Sequence, residues 1–392
     1  MTVAEKFQKS GNYALYLTCF TCLFSTALTA TFSILMIVCW LASGTFKNMP
    51  LIIKENSIAV LGVIFCSLLL IGMVYSPASL EVSLDFFKKY RVLLFVPIAL
   101  SLTKGQPNIA RNIVNALLLG YLLVLVNAYL VDFGLIAMNK LALKRYGGGF
   151  LVIFAYLVLQ RAMLEKKGRF LWGAFFLVIS YDIFFILNTR TGWLIFIALT
   201  VLFIFQYFSI KKQLIFYVVS VFLLVGIFYT SHSVQNRVGQ TIQNLQKYDA
   251  VKQNSRTSLG VRLDWYQNTI ELIKERPVFG YGTGAYEIAQ KALVEGTSTM
   301  PTTDPHNEFF LTTVQIGFVG LTILLSLFID PIIRSFKLIR HKKTAQAFAL
   351  QATVLFLFIG CFFNSWLLSS IPSHLFAFLI IAFYPVRESS RG

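Results

Sequence analysis

Long apolar stretches alternate with short polar ones along most of the chain. An α-helix rises about 1.5 Å per residue, so roughly 20 apolar residues are needed to cross about 30 Å of hydrocarbon. Two stretches, 10–46 and 344–386, are too long for one helix, and each is expected to form a hairpin of two spans. Single spans are expected at 57–75, 92–103 (short), 112–131, 146–160, 170–189, 191–210, 213–231 and 309–329. The pattern therefore predicts an all-α polytopic membrane protein with about 12 transmembrane helices.

The one long polar interval, residues 231–305, divides this pattern. Residues 1–230 would hold the first nine spans, and residues 306–392 the last three and a C-terminal tail. Within the interval, Ser258 is placed to cap a helix that continues to about Glu275 and is ended by Pro277. One face of that helix combines a guanidinium with aromatic and apolar side chains: Arg262, Trp265, Tyr266, Thr269 and Ile273. The helix would lie either on the outer leaflet or over the bundle.

The net charge of +17 is explained by topology. If the N-terminus is cytoplasmic, the loops richest in lysine and arginine fall on the inside by strict alternation, and the insert at 231–305 falls outside. The C-terminal tail then also lies in the cytoplasm. Membrane lipid is the expected surroundings, and nucleic acid is not an expected partner.

The positions of cysteines and of ionisable residues argue against disulfides, a zinc site and ion-coupled transport. All five cysteines lie in apolar stretches, so neither a disulfide framework nor a zinc site is expected. Ionisable residues inside the predicted spans are nearly limited to Asp182 and His374, whereas ion-coupled transporters usually keep several at mid-membrane.

The glycines 280, 282 and 284 follow Pro277 and allow a tight turn that closely approaches a ligand or another backbone. The turn follows a predicted helix rather than a strand, and no Gly-Lys-Ser/Thr ends it, so it is neither a dinucleotide-binding fingerprint nor a Walker loop. A flexible turn would have the same pattern.

His306 lies where the insert meets the next span, and Asn307 follows it. Imidazole accepts protons near neutral pH, so this side chain is a candidate base for a hydroxyl nucleophile. A structural histidine at a helix start is the alternative.

Three arginines are candidates for anion binding. Arg190 occupies a very short turn on the predicted outer side, where topology disfavours positive charge, and Arg262 also lies outside. Guanidinium groups hold phosphate oxygens bidentately and stay charged, so the two would suit a pyrophosphate. Arg145, before three glycines, is a weaker candidate because it can also extend to lipid phosphate.

Taken together, these motifs resemble the O-antigen ligase and polymerase superfamily. The resemblance covers nearly the whole chain, with one large outer loop before the last three spans. It rests on Arg190, Arg262-x-x-Trp265, Pro277-x-x-Gly280-x-Gly282-x-Gly284, His306-Asn307 and Gly317.

The resemblance implies an inverting glycosyltransferase without metal or cofactor, with its active site at the periplasmic face of the bacterial inner membrane. The implied donor is an undecaprenyl-pyrophosphate-linked glycan, and the acceptor is a sugar hydroxyl of lipid A-core. The insert would be a periplasmic loop carrying short helices. Catalytic roles fall to His306 as base and to Arg190 and Arg262 on the pyrophosphate; substrate-binding roles fall to Arg145, Trp265, Gly280, Gly282, Gly284 and Asn307.

Related functions share much of this pattern. An O-antigen polymerase would use a second lipid-linked repeat as acceptor, and a protein O-oligosaccharyltransferase a serine or threonine side chain. The compact insert favours a ligase. A lipid-linked sugar transporter would explain the spans but not the insert.

Overall fold

A computed structural model describes residues 1–144, 149–187, 189–246, 248 and 257–384. These residues form helices and turns without a strand. The first nine α-helices are α1 (Val3–Thr21), α2 (Thr26–Ala42), α3 (Met49–Glu55), α4 (Ser57–Val74), α5 (Leu80–Tyr90), α6 (Phe95–Thr103), α7 (Ile109–Asp132), α8 (Lys140–Leu143) and α9 (Ile153–Leu164). The others are α10 (Arg169–Tyr181), α11 (Arg190–Tyr207), α12 (Ile210–Thr230), α13 (His232–Gln246), α14 (Gly260–Glu275), α15 (Tyr286–Val294), α16 (Glu308–Arg340), α17 (Thr344–Phe363) and α18 (Ser370–Phe383).

Seven helices in the described part of the chain are long and apolar enough to cross a membrane. They are α4, α7, α10 with its π-helical extension to Ile186, α11, α12, α16 and α17. An eighth is counted if α2 and the segment Thr45–Glu55, which are bent by 82°, form one broken span. The all-helical membrane architecture is thus confirmed, while the count of about 12 stays a prediction.

Helix length explains the difference in count. Both long stretches fold into two helices, α1 and α2 at the N-terminus and α17 and α18 at the C-terminus, but of these four only α17 is by itself one of the seven. The short 92–103 stretch, however, yields only the nine residues of α6 after a 3-10 turn, about 14 Å of helix. Apolar composition alone did not separate such short helices from complete spans.

The core of the bundle surrounds α18. From Pro372 to Phe383 this helix is buried along its whole length, against α6, α7 and α17. Helix α12 is the opposite case, with no buried residue over 21 positions. Since α12 is apolar on every side, its exposed surface suits contact with lipid tails.

Helix α16 is broken in its N-terminal part, at Ile316 and Gly317, where Gly317 has φ 64°. The glycine-rich segment runs along this break. Backbone N–H groups of Tyr281 and Gly282 donate to the carbonyls of Val314 and Gln315 at 2.8 Å each, and Phe318 N donates to Pro277 O at 2.8 Å. The backbone groups freed by the break thus have partners within the protein, as irregular backbone inside a membrane span requires.

Gly317→Ala is expected to destabilise the protein strongly. A Cβ atom there would lie 1.9 Å from Val278 O, and the left-handed backbone is itself strained for alanine. That strain alone costs about 1–3 kcal/mol. Thermal unfolding of the purified variant tests this against Gly173→Ala in α10, where the new methyl group meets nothing within 4 Å. Equal melting temperatures for the two variants would contradict the expectation.

Helix α14 ends at Glu275 as predicted, but the predicted Ser258 cap is wrong. The helix begins at Gly260 without a side-chain cap from its N-cap residue, Leu259. The Ser258 hydroxyl instead accepts a hydrogen bond from Arg190 at 3.1 Å. A charged donor competes well with a backbone N–H for the same oxygen.

A second, smaller core holds α14 over the bundle. It consists of Leu272, Tyr286, Ala289, Leu311 and Val314, from α14, α15 and α16. Of the two sequence alternatives, the structure therefore has α14 packed over the bundle. This packing fixes α14 relative to the N-terminal part of α16.

Candidate active site

A cavity of about 240 Å³ lies where α11, α13 and α14 meet the connection between α17 and α18. Three arginines and no carboxylate are found among its described lining residues. These are Gly149, Phe150, Thr189, Arg190, Thr191, Arg237, Arg262, Asn364, Trp366, Ser369 and Pro372. The cavity is a cationic site.

Arg190 is held at the cavity by two other segments. Its Nη1 donates to Thr241 Oγ1 and its Nη2 to Ser258 Oγ, each at 3.1 Å. It is also the first residue of α11, so the unpaired N–H groups of that helix end add to the positive potential. The guanidinium therefore has a defined position before any ligand arrives.

Arg262 enters the cavity from the first turn of α14. Its Nη1 lies 3.5 Å from the carbonyl of Phe363, at the end of α17. The two arginines singled out from the sequence thus line one cavity, although 72 positions separate them.

Arg237 is the third arginine, and sequence analysis missed it. It lies on α13, where Nη1 donates to Gln240 at 3.2 Å. Its buried Nε has no hydrogen-bond partner among the residues that the structure describes. The insert contains several basic residues, and only the packing of α13 shows which of them reaches the cavity.

His306 adopts a left-handed backbone conformation, with φ 56°. Its N–H donates to Asp304 Oδ1 at 2.8 Å, and its carbonyl accepts from Tyr266 Oη at 3.2 Å. Burial raises the pKa of the Tyr266 phenol, which therefore remains a donor. Non-glycine residues with positive φ are uncommon and concentrate at functional sites.

The imidazole ring of His306 contacts a residue that lines the cavity. Its Nδ1 lies 2.8 Å from Oδ1 of Asn364, which lines the cavity. The Trp265 ring packs against the imidazole at 5.5 Å between centroids and donates from Nε1 to the carbonyl of Met300 at 2.8 Å. The proposed base and the arginine pair are therefore neighbours in the fold.

Asn307 and the glycines have structural contacts. Asn307 Oδ1 accepts from Phe310 N at 3.1 Å and caps α16, while its Nδ2 donates to Phe362 O at 3.0 Å. A Cβ at Gly280 would lie 2.4 Å from Val314 O, and one at Gly282 would lie 2.4 Å from Ser76 Cα. These contacts explain the residue types, and direct contact with substrate stays a prediction.

Gly284 and Arg145 are the remaining residues for which the sequence predicts a substrate-binding role. Gly284 lies beside Ser83 of α5, where a Cβ would come within 3.2 Å of the Ser83 Cα. Arg145 lies outside the described residues.

Glu308 is a buried anchor that sequence analysis also missed. Its Oε1 accepts from Tyr90 Oη at 2.5 Å and its Oε2 from Leu367 N at 2.9 Å. Burial, reinforced by Glu308, raises the pKa of the Tyr90 hydroxyl, so that it remains a donor. Glu308 thus holds the turn Trp366–Leu368, and with it Trp366, against α16.

Comparison with known proteins agrees with the sequence motifs. Residues 175–325 match the family model described as O-antigen ligase. The predicted resemblance is confirmed over this range, which includes the three arginines and His306. Asn364 lies beyond it.

A relative in Haemophilus influenzae, described as an uncharacterized protein, is 25% identical over 262 residues. The match covers 62% of this chain and 64% of that protein's length. It assigns no activity to either protein.

Proposed function

We propose that the protein transfers O-antigen glycan from undecaprenyl pyrophosphate to a sugar hydroxyl of lipid A-core. The reaction would take place at the periplasmic face of the bacterial inner membrane, with inversion and without a metal ion. The family match over 175–325 supports a glycosyltransferase of the ligase or polymerase type. The single observation that carries the proposal is the convergence of three arginines on a cavity next to His306.

The charge of the cavity favours a pyrophosphate over a singly charged ligand. Arg190, Arg237 and Arg262 repel one another, and no carboxylate among the described lining residues offsets them. Several negative charges are needed to balance three guanidinium groups, and a pyrophosphate supplies them on adjacent phosphates. Each guanidinium can hold two phosphate oxygens in its planar fork.

The chemistry follows from these positions. The acceptor hydroxyl oxygen attacks the anomeric carbon while the bond from that carbon to the pyrophosphate oxygen breaks. The leaving pyrophosphate retains the bonding electron pair, and the arginines stabilise the charge that develops on it. The hydroxyl proton passes to His306. Attack opposite the leaving group inverts the anomeric configuration.

The acceptor distinguishes a ligase from the related transferases. A polymerase or a protein O-oligosaccharyltransferase would use the same donor and the same leaving-group site. Lipid A-core is proposed because the insert is compact. A transporter would bind the lipid-linked glycan without needing a base. Loss of His306 should therefore abolish the activity of a transferase but not that of a transporter.

Donor recognition can be tested by binding alone. Purified protein is titrated with undecaprenyl pyrophosphate and with undecaprenyl monophosphate in the same detergent. We expect the pyrophosphate to bind about tenfold more tightly or better, a difference of about 1.4 kcal/mol. Equal affinities would contradict a pyrophosphate site.

Arg237→Ala is expected to weaken donor binding and to raise the donor KM, because one of the three cations is removed. Arg237→Lys should restore binding only in part, since an ammonium group lacks the bidentate fork. Titration with the lipid pyrophosphate measures the effect. The control is Lys274→Ala on α14, where an exposed pair with Glu271 is lost. Wild-type affinity in Arg237→Ala would remove this residue from the site.

Topology is tested by cysteine labelling, because the five described native cysteines are buried. Gln243→Cys in the insert should react with a membrane-impermeant maleimide from the periplasmic side of intact spheroplasts. Lys343→Cys, between α16 and α17, should react only after lysis. The reverse result would place the arginine cavity on the cytoplasmic side and contradict the proposal.

A further inference from the structure

We propose that Asn364 sets the tautomer of His306, holding the ring proton on Nδ1 and leaving Nε2 as the nitrogen that receives the acceptor's proton. The inference deepens the proposed function, because it names a positioning residue for the base of that reaction. It rests on the contact between Asn364, at the C-terminal end of α17, and His306, at the start of α16.

Two hydrogen bonds identify the atom that faces the imidazole. His306 Nδ1 lies 2.8 Å from Oδ1 of Asn364, and the backbone N–H of Ser365 donates to the same oxygen at 3.1 Å. A backbone N–H can only donate, so its partner must be the amide oxygen rather than the amide nitrogen. The ring nitrogen must then donate as well. A neutral imidazole with a proton on Nδ1 carries its free lone pair on Nε2.

The backbone at Asn364 is held in place from both sides. Its own backbone N–H donates to Gly360 O at 2.9 Å, which ties it to α17. The next residue, Ser365, donates from its hydroxyl to Asp304 Oδ1 at 2.6 Å. The same oxygen of Asp304 accepts from the His306 backbone. The backbone of His306 and the residue after Asn364 are thus fixed to one carboxylate.

Asp304 has a different role from Asn364. Its Oδ2 lies 3.9 Å from His306 Nδ1, within ion-pair reach but beyond a hydrogen bond. The carboxylate therefore does not compete for the ring proton. The other charged groups near this junction are Arg262, whose Nη1 is 3.5 Å from Phe363 O, and the buried Glu308. Asn364 is the described neutral acceptor for Nδ1 and so selects the tautomer.

Nitrogen NMR tests the tautomer directly, without any assay of transfer. The chain has four histidines, so labelling with ¹⁵N-histidine gives few signals, and the spectrum of His306→Gln assigns those of His306. At a pH where the ring is neutral, we expect Nδ1 to be the protonated nitrogen in the wild-type protein. In Asn364→Leu we expect a mixture of tautomers. A wild-type proton on Nε2, or an unchanged spectrum in Asn364→Leu, would overturn the inference.

Kinetics provide the second readout. Asn364→Leu keeps the side-chain size but lacks the acceptor, and kcat should fall by about 10²-fold or more, as when a catalytic histidine takes the wrong tautomer. Asn364→Asp keeps an acceptor oxygen and should recover most of kcat, although its charge should raise the donor KM. Asn236→Leu, at an exposed position of α13, is the matched control. Equal kcat values for the Leu and Asp variants would contradict a tautomer-selecting role.

The two proposals fail in different ways. If the wild-type protein transfers no glycan to any acceptor but keeps the Nδ1 proton, the proposed function fails and the tautomer assignment stands. If transfer occurs but the wild-type ring carries its proton on Nε2, the function stands and the inference fails. Should Asn364→Leu not fold, the wild-type spectrum and the Asp variant still decide the outcome.

Discussion

Replacing His306 by asparagine is expected to abolish turnover while leaving donor binding nearly intact. Loss of a general base typically costs about 10²- to 10⁴-fold in rate. Asparagine suits the position because it tolerates the left-handed backbone that His306 adopts. The arginine cavity remains, so the Kd for the lipid pyrophosphate should change little. Transfer rate and donor affinity are measured separately on purified, folded protein.

The control for this variant is His341→Ala, at the other end of α16. Its exposed ring is outside the proposed site, and transfer should proceed at the wild-type rate. Wild-type kcat in His306→Asn would end the general-base assignment. Lost donor affinity with normal turnover at saturation would instead place His306 in the pyrophosphate site.

Arg190→Ala and Arg262→Ala are each expected to reduce transfer severely. Removing one group that stabilises developing charge costs about 2–4 kcal/mol of transition-state stabilisation, or about 30- to 10³-fold in kcat/KM. Lysine at either position should rescue only partly, because it cannot make bidentate contacts. The measurement is kcat/KM for the donor, with Lys274→Ala as the exposed cation control.

The two arginines differ in their structural roles, so their alanine variants should differ in stability. Arg190 also binds Thr241 and Ser258, so its loss should lower the melting temperature as well as activity. Arg262 is less embedded, since its hydrogen bond within the described part of the chain is a long one to a carbonyl, and its loss should affect activity alone. Normal kcat/KM in a folded Arg262→Ala variant would exclude it from the site.

The sequence identified those candidate site residues whose local sequence context is unusual. Arg190 was conspicuous because positive charge is disfavoured at a turn predicted to lie outside, and His306 because it joins the insert to a predicted span. The structure places both near one cavity. The end of α14 at Glu275 was also predictable, because Pro277 follows. In each case the signal is local in the chain.

The missed residues depend on contacts between distant segments. Asn364 lies in the apolar stretch 344–386, where nothing local distinguishes it, and it becomes significant only because α17 ends beside His306. Arg237 is one of several basic residues in the insert. Glu308 was not expected to be fully buried, since its partners Tyr90 and Leu367 come from other segments.

The sequence did not show what the glycine motif 280–284 contacts. The glycines predicted that the backbone comes close to a ligand or to another segment, but they did not identify that segment. In the structure, the segment from Pro277 to Thr283 approaches the break in α16 and the end of α4. Gly317, which forms that break, belongs to the same structural unit as Gly280 and Gly282. Periodicity cannot show this, because the break lies inside a continuous apolar stretch.

The most direct test of the central claim is a transfer reaction with purified components. The protein is incubated with undecaprenyl-pyrophosphate-linked glycan and lipid A-core, with EDTA present and without ATP. We predict glycan joined to lipid A-core with inverted anomeric configuration, one undecaprenyl pyrophosphate released for each product, and no product with His306→Asn. Absence of joined product from folded wild-type protein that binds both substrates, or equal product from His306→Asn, would contradict the account.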